Sequence, residues 1–343
     1  MKITIKEIAK EAGVSIATVS MILNNKDKNI SAATRMRVMD VVKKHNYVPN
    51  AMAGSLITQR THLVGLILPD ITNPFFPGIA RGAEDKANET GYSIIFCNTD
   101  DKLEVEEKYI ETLTKKMADG IIIAHSSNSE KMSEILERCK VPIILIDRDF
   151  DSNNIRGKVL VNNYEGAYKG VSYLIHKGYN KVAYLSGSQK TKTAQDRLEG
   201  YKRALEDNGL KYDEKLVRHG EYRIEWGRNG VKELLSQGDA WDAVFCGNDL
   251  IAIGAMKELR EKGYNIPEDI GVMGFDDIYM ASLVEPSLTT IKQPNYKMGY
   301  MAMELLLENM NNTDKSNSQE LKSITLETEI VERNSIIQKK VKK

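Results

Sequence analysis

From residue 62 onward, short apolar runs alternate with longer stretches in which apolar residues recur every three or four positions. Runs such as "LVGLIL", "GIII" and "VPIILI" have the length of strands buried on both faces, and the stretches between them have helical spacing. The alternation restarts near "KVLVNN" and continues through "KVAYLSGS", "AVFCGND" and "IGVMGFDD". Two such halves predict an α/β fold of two subdomains, each built around a parallel sheet.

The same pattern sets the expected domain limits. We expect residues 62–161 with about 291–320 to form the first subdomain, and residues 162–290 with about 321–335 to form the second. The polar segment "NNTDKSNSQE" at 311–320 is predicted to be a loop, and "SITLETEIV" after it to be one last strand.

Residues 1–48 have a different pattern, which predicts three short helices. Thr4 and Glu7 have the spacing of a capping box at the start of the first helix, and Gly13 can end it. Ser15 is placed to cap the second helix and Ser31 the third. Helix, glycine turn, helix and supporting helix make a helix-turn-helix arrangement. The apolar residues expected to face inward are Ile5, Ile8, Ala9, Ala12, Val19, Ile22, Leu23, Val38, Val41 and Val42.

Charge is unevenly distributed along the chain. The net charge is zero, but residues 1–60 contain ten Lys/Arg and four Asp/Glu, so this part carries +6 and the rest −6. A basic helical head on an acidic body indicates a polyanionic partner for the head, and a three-helix protein-docking module is the alternative. In a helix-turn-helix the second helix enters the major groove while other polar residues contact phosphates. The expected DNA contacts in the head are Thr4, Ser15, Ile16, Ala17, Thr18, Ser20, Met21, Asn24, Ser31 and Thr34.

Residues 49–61 are predicted to be a hinge. Pro49 ends the third helix, and Asn50 can cap a helical stretch of about two turns that reaches Leu56. A helix this short is unstable alone, and Gly54 weakens it by about 1 kcal/mol relative to alanine. We expect the stretch to become ordered only when a partner organises it.

The head and hinge resemble the LacI/GalR family of repressors. The resemblance rests on "VSIATVSMILN", which fits the family pattern VSxxTVSxxLN, and on "YVPNAMAGSL", which fits YxPNxxAxSL. It implies a homodimer whose hinge helices pair over operator DNA, with Asn50 as a contact and Leu56 as an apolar wedge in the minor groove. An ordinary linker leucine is the alternative. Many relatives have Arg in place of Gly54 and a polar, base-reading residue in place of Met21.

Ligands of parallel α/β folds bind beyond the carboxyl ends of the strands. The predicted strand ends bring together two phenylalanines, set in a loop, with carboxylate, amide and guanidinium side chains. Aromatic faces can contact the C–H side of a sugar ring, while sugar hydroxyls donate to carboxylates and accept from guanidinium groups. A phosphate site would favour glycine-rich backbone and lysine. The predicted monosaccharide site consists of Asn73, Phe75, Phe76, Asp147, Arg148, Arg197, Tyr222, Asn248, Asp276 and Gln293.

The body resembles, over essentially its whole length, the periplasmic sugar-binding-protein fold that LacI/GalR repressors share. Its pocket residues are similar to those of ribose operon repressors. The resemblance implies a transcriptional repressor of a sugar-utilisation operon, controlled by ribose or a similar monosaccharide. The plainer interpretations are core packing for Phe76, a turn cap for Asp276, a surface ion pair for Asp147 with Arg148, and pairing of Arg197 with Asp196 or Glu199 on an exposed helix face.

Enzyme chemistry is not expected. The five histidines lack metal-ligand spacing, and the body contains no phosphate-binding loop, nucleophile elbow or zinc-protease motif. Two pocket carboxylates suggest glycoside hydrolysis, but Arg148 and Arg197 would keep both ionised. We therefore predict no catalytic residue, cofactor or metal. The alternatives are a solute-binding protein without regulatory role, a repressor with a non-sugar co-repressor, a sugar that tightens DNA binding, and a sugar-active enzyme.

Composition agrees with a cytoplasmic protein. The 343 residues include three cysteines, Cys97, Cys139 and Cys246, which are widely spaced and set in or beside apolar runs, as reduced thiols are. The start lacks the continuous apolar segment of a signal peptide, and the apolar runs are too short to span a membrane. The end, "RNSIIQKKVKK", has no leucine heptads, so we expect a dimer rather than a tetramer.

Overall fold

The computed structural model describes residues 3–48, 60–126, 130–238, 240–311 and 321–339. The chain divides into two compact units, Met1–Thr61 and His62–Lys343. Within the described ranges, no helix combines the length and the apolar character needed to cross a bilayer.

The first unit is a three-helix head with the predicted caps. Its helices are α1 (Ile5–Ala12), α2 (Ile16–Leu23) and α3 (Ala32–Lys44). Thr4 forms the capping box with Glu7, and Gly13 ends α1 in the left-handed conformation with φ 64°. Ser15 and Ser31 cap α2 and α3. The buried core of the head consists of Ile8, Ala9, Ala12, Val19, Ile22, Val38 and Val42, and Ile5, Leu23 and Val41 are partly buried against it.

The second unit alternates strands and helices, as the hydrophobic pattern predicts. Its strands are β1 (Leu63–Leu68), β2 (Ser93–Asn98), β3 (Gly120–Ile123), β4 (Ile143–Ile146), β5 (Ile155–Val161), β6 (Val182–Ser186), β7 (Val217–His219), β8 (Ala243–Cys246), β9 (Gly271–Asp276), β10 (Thr289–Lys292), β11 (Lys322–Leu326) and β12 (Glu329–Val331). Its α-helices are α4 (Phe75–Glu89), α5 (Leu103–Lys115), α6 (Glu130–Arg138), α7 (Asn163–His176), α8 (Lys192–Asp207), α9 (Ile224–Ser236), α10 (Asp249–Glu261) and α11 (Asn295–Asn311).

The described strands form two six-stranded sheets, in the orders β11-β5-β4-β3-β1-β2 and β12-β10-β9-β8-β6-β7. Neighbouring strands are parallel except β10 and β12, which are antiparallel. Separate apolar clusters cover the two faces of the first sheet, so β3 and β4 are buried at every position. The predicted fold class, a helix-turn-helix head followed by two parallel-sheet subdomains, is confirmed.

The chain returns from the second sheet to the first near its end. After β10, α11 packs on α4 of the first subdomain, and the next two strands lie in different sheets. Lys322–Leu326 pairs with β5, whereas Glu329–Val331 pairs with β10. The prediction of one last strand in the second subdomain is therefore wrong for the first of these segments. Both strands lie at sheet edges, where partners distant in sequence decide the pairing and local side-chain alternation does not.

The two adjacent phenylalanines begin a helix, so the prediction of a loop is wrong. Phe75 and Phe76 are the first residues of α4, and Pro74 occupies its N-cap position. The backbone N–H groups of the first turn have no partner within the helix itself, so proline is tolerated there. Pro74 and Pro77 therefore begin α4 rather than interrupt it.

Candidate functional site

The exposed face of α2 carries the side chains predicted to contact bases. Ile16 and Met21 are 47% and 45% exposed, although both are large and apolar. Ala17 is exposed beside them, and Ser20 is half-buried. Ile16, Ala17 and Met21 lack the paired donors by which arginine reads guanine, but their apolar atoms can contact thymine methyl groups.

The other described DNA candidates lie at helix ends, where they are held by hydrogen bonds. A helix N-terminus presents backbone N–H groups and the positive end of the helix dipole, both of which favour a phosphate. At the three helix N-termini, backbone N–H groups donate to cap hydroxyls: Glu7 to Thr4 Oγ1 at 3.4 Å, Thr18 to Ser15 Oγ at 3.1 Å and Thr34 to Ser31 Oγ at 3.2 Å. At the C-terminal end of α2, Asn24 Nδ2 donates to the Ser20 carbonyl at 2.9 Å. Asn50 and Leu56 lie outside the described residues.

A cavity of about 520 Å³ opens in the second unit, among segments that follow the carboxyl ends of strands in both sheets. That position is the one that parallel α/β folds offer to ligands. The sequence-predicted residues that line this cavity are Asn73, Phe75, Phe76, Asp147, Arg148, Arg197, Tyr222, Asn248, Asp276 and Gln293, which is the whole predicted set.

The start of α4 supplies the aromatic part of the cavity wall. The rings of Phe75 and Phe76 pack edge to face, with centroids 5.2 Å apart. Both are buried in the core of the first subdomain and also line the cavity. Asn73 fixes the turn before them, because its Oδ1 accepts from the Phe75 N–H at 3.1 Å. Core packing and cavity lining are thus both roles of Phe76.

Arg197 joins α8 to the ends of the second sheet. It is only 3% exposed. Its Nε donates to Asn163 Oδ1 at 2.9 Å and its Nη1 to the Gly247 carbonyl at 2.5 Å. The guanidinium also lies 3.7 Å from the centroid of the Phe275 ring, as in a cation–π contact. The interpretation of Arg197 as a surface partner of its acidic neighbours is wrong, because those neighbours pair with lysines.

Asp276 lies beside Arg197 at the end of β9. Its Oδ1 is 3.9 Å from Arg197 Nη2 and accepts from Gln293 Nε2 at 2.6 Å. Burial raises the pKa of the Asp276 carboxyl to about 7, although Arg197 and the Gln293 hydrogen bond act in the opposite direction. The expectation that the arginines keep this carboxyl ionised is therefore wrong, because burial outweighs their attraction. Its backbone φ of 117° is a strained conformation of the kind that clusters at functional sites. The carboxyl bonds a cavity side chain rather than a turn amide.

Asp147 and Arg148 follow β4 and are both buried, so the surface ion pair is a wrong interpretation. Asp147 Oδ2 is 3.9 Å from Arg148 Nε. Arg148 Nη1 donates to Asp101 Oδ1 at 2.5 Å and to the carbonyls of His125 and Ser126 at 2.8 and 3.4 Å. Burial raises the pKa of Asp147, against the attraction of the two arginines.

Four buried polar atoms of cavity-lining residues have no hydrogen-bond partner among the described residues: Asn248 Nδ2, Gln293 Oε1 and the hydroxyls of Ser126 and Tyr222. The other end of each amide is used, since Asn248 Oδ1 accepts from the Ile251 N–H at 2.9 Å. An unsatisfied buried polar group costs about 1–3 kcal/mol. The four atoms are a donor, an acceptor and two hydroxyls that can be either, which is what hydroxyl groups of a ligand can satisfy.

Sequence reasoning missed several cavity residues in the loops after the strands. Asp101 and Ser126 each come three residues after the end of a strand, and Asp101 is the closest acidic partner of Arg148. The rule that identified the other site residues could have found them, because they also follow carboxyl ends of parallel strands. Further missed lining residues include Asp70, Lys190, Thr193 and Arg223.

Comparison with protein families matches both units. Residues 4–50 match the model of bacterial regulatory proteins of the lacI family. Residues 61–330 match the model of periplasmic binding proteins and the sugar-binding domain of the LacI family. The chain belongs to the LacI family.

Three similar proteins each cover between 81% and 98% of the chain. The HTH-type transcriptional regulator RegA of Clostridium acetobutylicum is 41% identical over 98% of this chain and 99% of its own length. A LacI family transcriptional regulator from Enterococcus faecium, solved with bound ribose, is 30% identical, covers 81% of this chain and 100% of its own, and has a TM-score of 0.72. The Lac repressor dimer bound to operator and an anti-inducer is 24% identical over 98% of this chain and 100% of its own, with a TM-score of 0.86, which shows the shared fold.

LacI-family membership assigns a role to each unit. The head that matches the regulatory-protein model contains α1 to α3, so it is the DNA-binding unit of a transcriptional regulator. The cavity lies in the unit that matches the sugar-binding-domain model. Across the described residues, no group of three or more His, Cys, Asp or Glu side chains is arranged to hold a metal ion.

Proposed function

We propose that this chain represses a sugar-utilisation operon and that a monosaccharide, ribose or a close relative, binds in the cavity as its effector. The observation that carries the proposal is the set of unpartnered buried atoms on four cavity residues, Ser126, Tyr222, Asn248 and Gln293. Sugar hydroxyls both donate and accept, so one sugar can offer partners to the donor, the acceptor and the hydroxyls in this set. Phe75 and Phe76 offer an aromatic surface for the C–H face of its ring.

The charges of the cavity support a neutral ligand. Each buried arginine already lies within 3.9 Å of a carboxylate, Arg148 of Asp147 and Arg197 of Asp276. An anion would compete with these carboxylates for the same guanidinium groups, whereas a neutral hydroxyl can bridge both partners. The relative from Enterococcus faecium, which was solved with ribose, makes ribose the first sugar to test.

On the DNA side, we propose a homodimer on a pseudo-palindromic operator. Two-fold symmetry places two recognition helices on half-sites about one helical turn apart, or a multiple of that distance. Residues 49–61 would form paired hinge helices on the operator, with Leu56 as a minor-groove wedge. Effector binding would disfavour the paired hinges, and a coupling of about 1–3 kcal/mol is enough for this.

The test combines calorimetry with operator release. We expect D-ribose to bind the full chain with one site per subunit, and to release the protein from DNA that contains its operator. Arg197→Met should bind operator as the wild type does but ignore ribose, because it loses the buried guanidinium and its hydrogen bonds. Arg203→Met is the matched control, since Arg203 lies on the same helix, is half exposed and pairs with Glu206 and Asp207.

Three outcomes would contradict parts of the proposal. An Arg197→Met variant that still releases operator on adding ribose would exclude the cavity as the effector site. A wild-type protein that binds none of a panel of pentoses and hexoses would exclude the monosaccharide effector. Chemical turnover of ribose by the purified protein would favour an enzyme.

A further inference from the structure

One fully buried carboxyl connects the three segments that deliver Asn248, Asp276 and Gln293 to the cavity. Asp249 is the first residue of α10, follows Asn248 directly and is 0% exposed. Its Oδ2 accepts from the Ile278 N–H at 2.8 Å, two residues after Asp276. Its Oδ1 accepts from Thr290 Oγ1 at 2.5 Å. Thr290 precedes Gln293 by three residues on β10.

The fold makes room for this carboxyl. Gly274 on β9 pairs with Thr290 on β10 in the sheet register. A Cβ atom at Gly274 would lie 2.1 Å from Asp249 Oδ1, so any side chain there would displace the carboxyl. Asp249 does not line the cavity itself. It therefore acts on the cavity only through the segments that it holds.

Charge pairing does not explain the position of Asp249. Among the described residues, no basic side chain forms an ion pair with it, in contrast to Glu258 on the same helix, which bonds Arg228 at 2.9 Å. Burial and the nearby carboxylates of Asp276 and Asp277 raise the pKa of Asp249 well above its usual range. Both contacts can form in either protonation state, because a carboxylate accepts from the Ile278 N–H and the Thr290 hydroxyl, and a neutral acid accepts from Ile278 and donates to Thr290 Oγ1.

We propose that Asp249 is a positioning residue for the effector site, which holds Asn248, Asp276 and Gln293 in register for a ligand. This inference rests on the proposed function, since ribose is the ligand used to measure it. Removal of the Asp249 carboxyl should weaken ligand binding. This loss of affinity should be larger than the loss that destabilisation of the fold alone would cause.

The experiment compares variants of the full chain by calorimetry with D-ribose. Asp249→Ala should weaken ribose binding at least about tenfold, because three ligand-contacting side chains lose their common anchor. Glu258→Ala is the matched control, since it removes a buried acid from the same helix away from the cavity and should stay within about twofold of wild type. Asp249→Asn should largely retain affinity, because an amide can accept from Ile278 and donate to Thr290 as the neutral acid does. Thr290→Val, which keeps the side-chain size, should also weaken ribose binding.

Hydrogen exchange tests the positioning role of Asp249 independently of whether ribose is the effector. Amides in residues 274–279 and 289–293 should exchange faster in Asp249→Ala than in Glu258→Ala, with or without ligand. If wild type does not bind ribose, the proposed effector fails and the exchange comparison alone decides. Ribose affinity or exchange that is equal in Asp249→Ala and Glu258→Ala would overturn the positioning role, and so would an Asp249→Asn variant as damaged as Asp249→Ala.

Discussion

The raised pKa of Asp276 predicts that one buried carboxyl makes the unliganded protein less stable as pH rises. Its pKa is raised from 3.8 to about 7 by burial at the cavity wall. The folded state therefore binds a proton more tightly than the unfolded chain does. The stability that this proton provides is fully present below pH 3.8 and is lost as pH rises through 7.

The magnitude follows from the size of the shift. Each pH unit in this window changes the free energy of unfolding by about 1.4 kcal/mol, because the folded state holds one proton that the unfolded chain has released. Between pH 5 and pH 8, Asp276 should reduce the stability of the wild type by about 3 kcal/mol. Asp276→Asn removes this contribution, while the other buried carboxyls remain in both proteins.

The assay is urea unfolding at pH 5, 6, 7 and 8, with tryptophan fluorescence as the signal that monitors the transition. Both tryptophans, Trp226 and Trp241, belong to the second subdomain, which also contains Asp276. Asp277→Asn is the control, because Asp277 bonds Arg333 at 2.6 Å and does not line the cavity. It should keep the pH dependence of the wild type. A stability difference between wild type and Asp276→Asn that stays constant from pH 5 to pH 8 would refute the reasoning.

Other predictions concern DNA binding and the shape of the cavity. Leu56→Ala should weaken operator binding much more than binding to unrelated DNA, because in our proposal only the operator complex has Leu56 as a minor-groove wedge; equal losses in gel-shift titrations would exclude the wedge. Operator affinity should fall steeply with salt, since phosphate contacts release counterions, and a flat salt titration would contradict the electrostatic role of the head. Gly187→Ala should weaken ribose binding, because its Cβ would lie 2.1 Å from the Tyr222 ring. In a Tyr222→Ala background, Gly187→Ala should not weaken ribose binding further when affinity is measured by calorimetry. An additive loss would show that the clash with the Tyr222 ring is not the cause.

The positions of the core strands along the chain were accessible from sequence because buried parallel strands are nearly continuous apolar runs. β3 and β4 read "GIII" and "IILI", and every residue in them is buried. The division of the last segment between β11 and β12 was not accessible. Both are edge strands with mixed polar and apolar residues, and their partners β5 and β10 lie far away in the sequence.

The cavity residues were predictable for a topological reason. The carboxyl ends of parallel strands meet at one edge of a sheet, so polar residues that follow different strands come together there. The environment of each residue was less predictable. The stacking of Arg197 on Phe275 and the contact of Arg148 with Asp101 depend on side chains from separate elements. Asp249 gave no sequence signal beyond its position after Asn248, since its role depends on backbone and hydroxyl donors from two other segments.

The decisive experiment is a crystal structure of the full chain with the sugar that calorimetry identifies. We expect the sugar in the 520 Å³ cavity, with its hydroxyls on Asn248 Nδ2 and Gln293 Oε1 and its ring against Phe75 and Phe76. A structure in which this cavity contains only water and the sugar lies elsewhere would contradict the account.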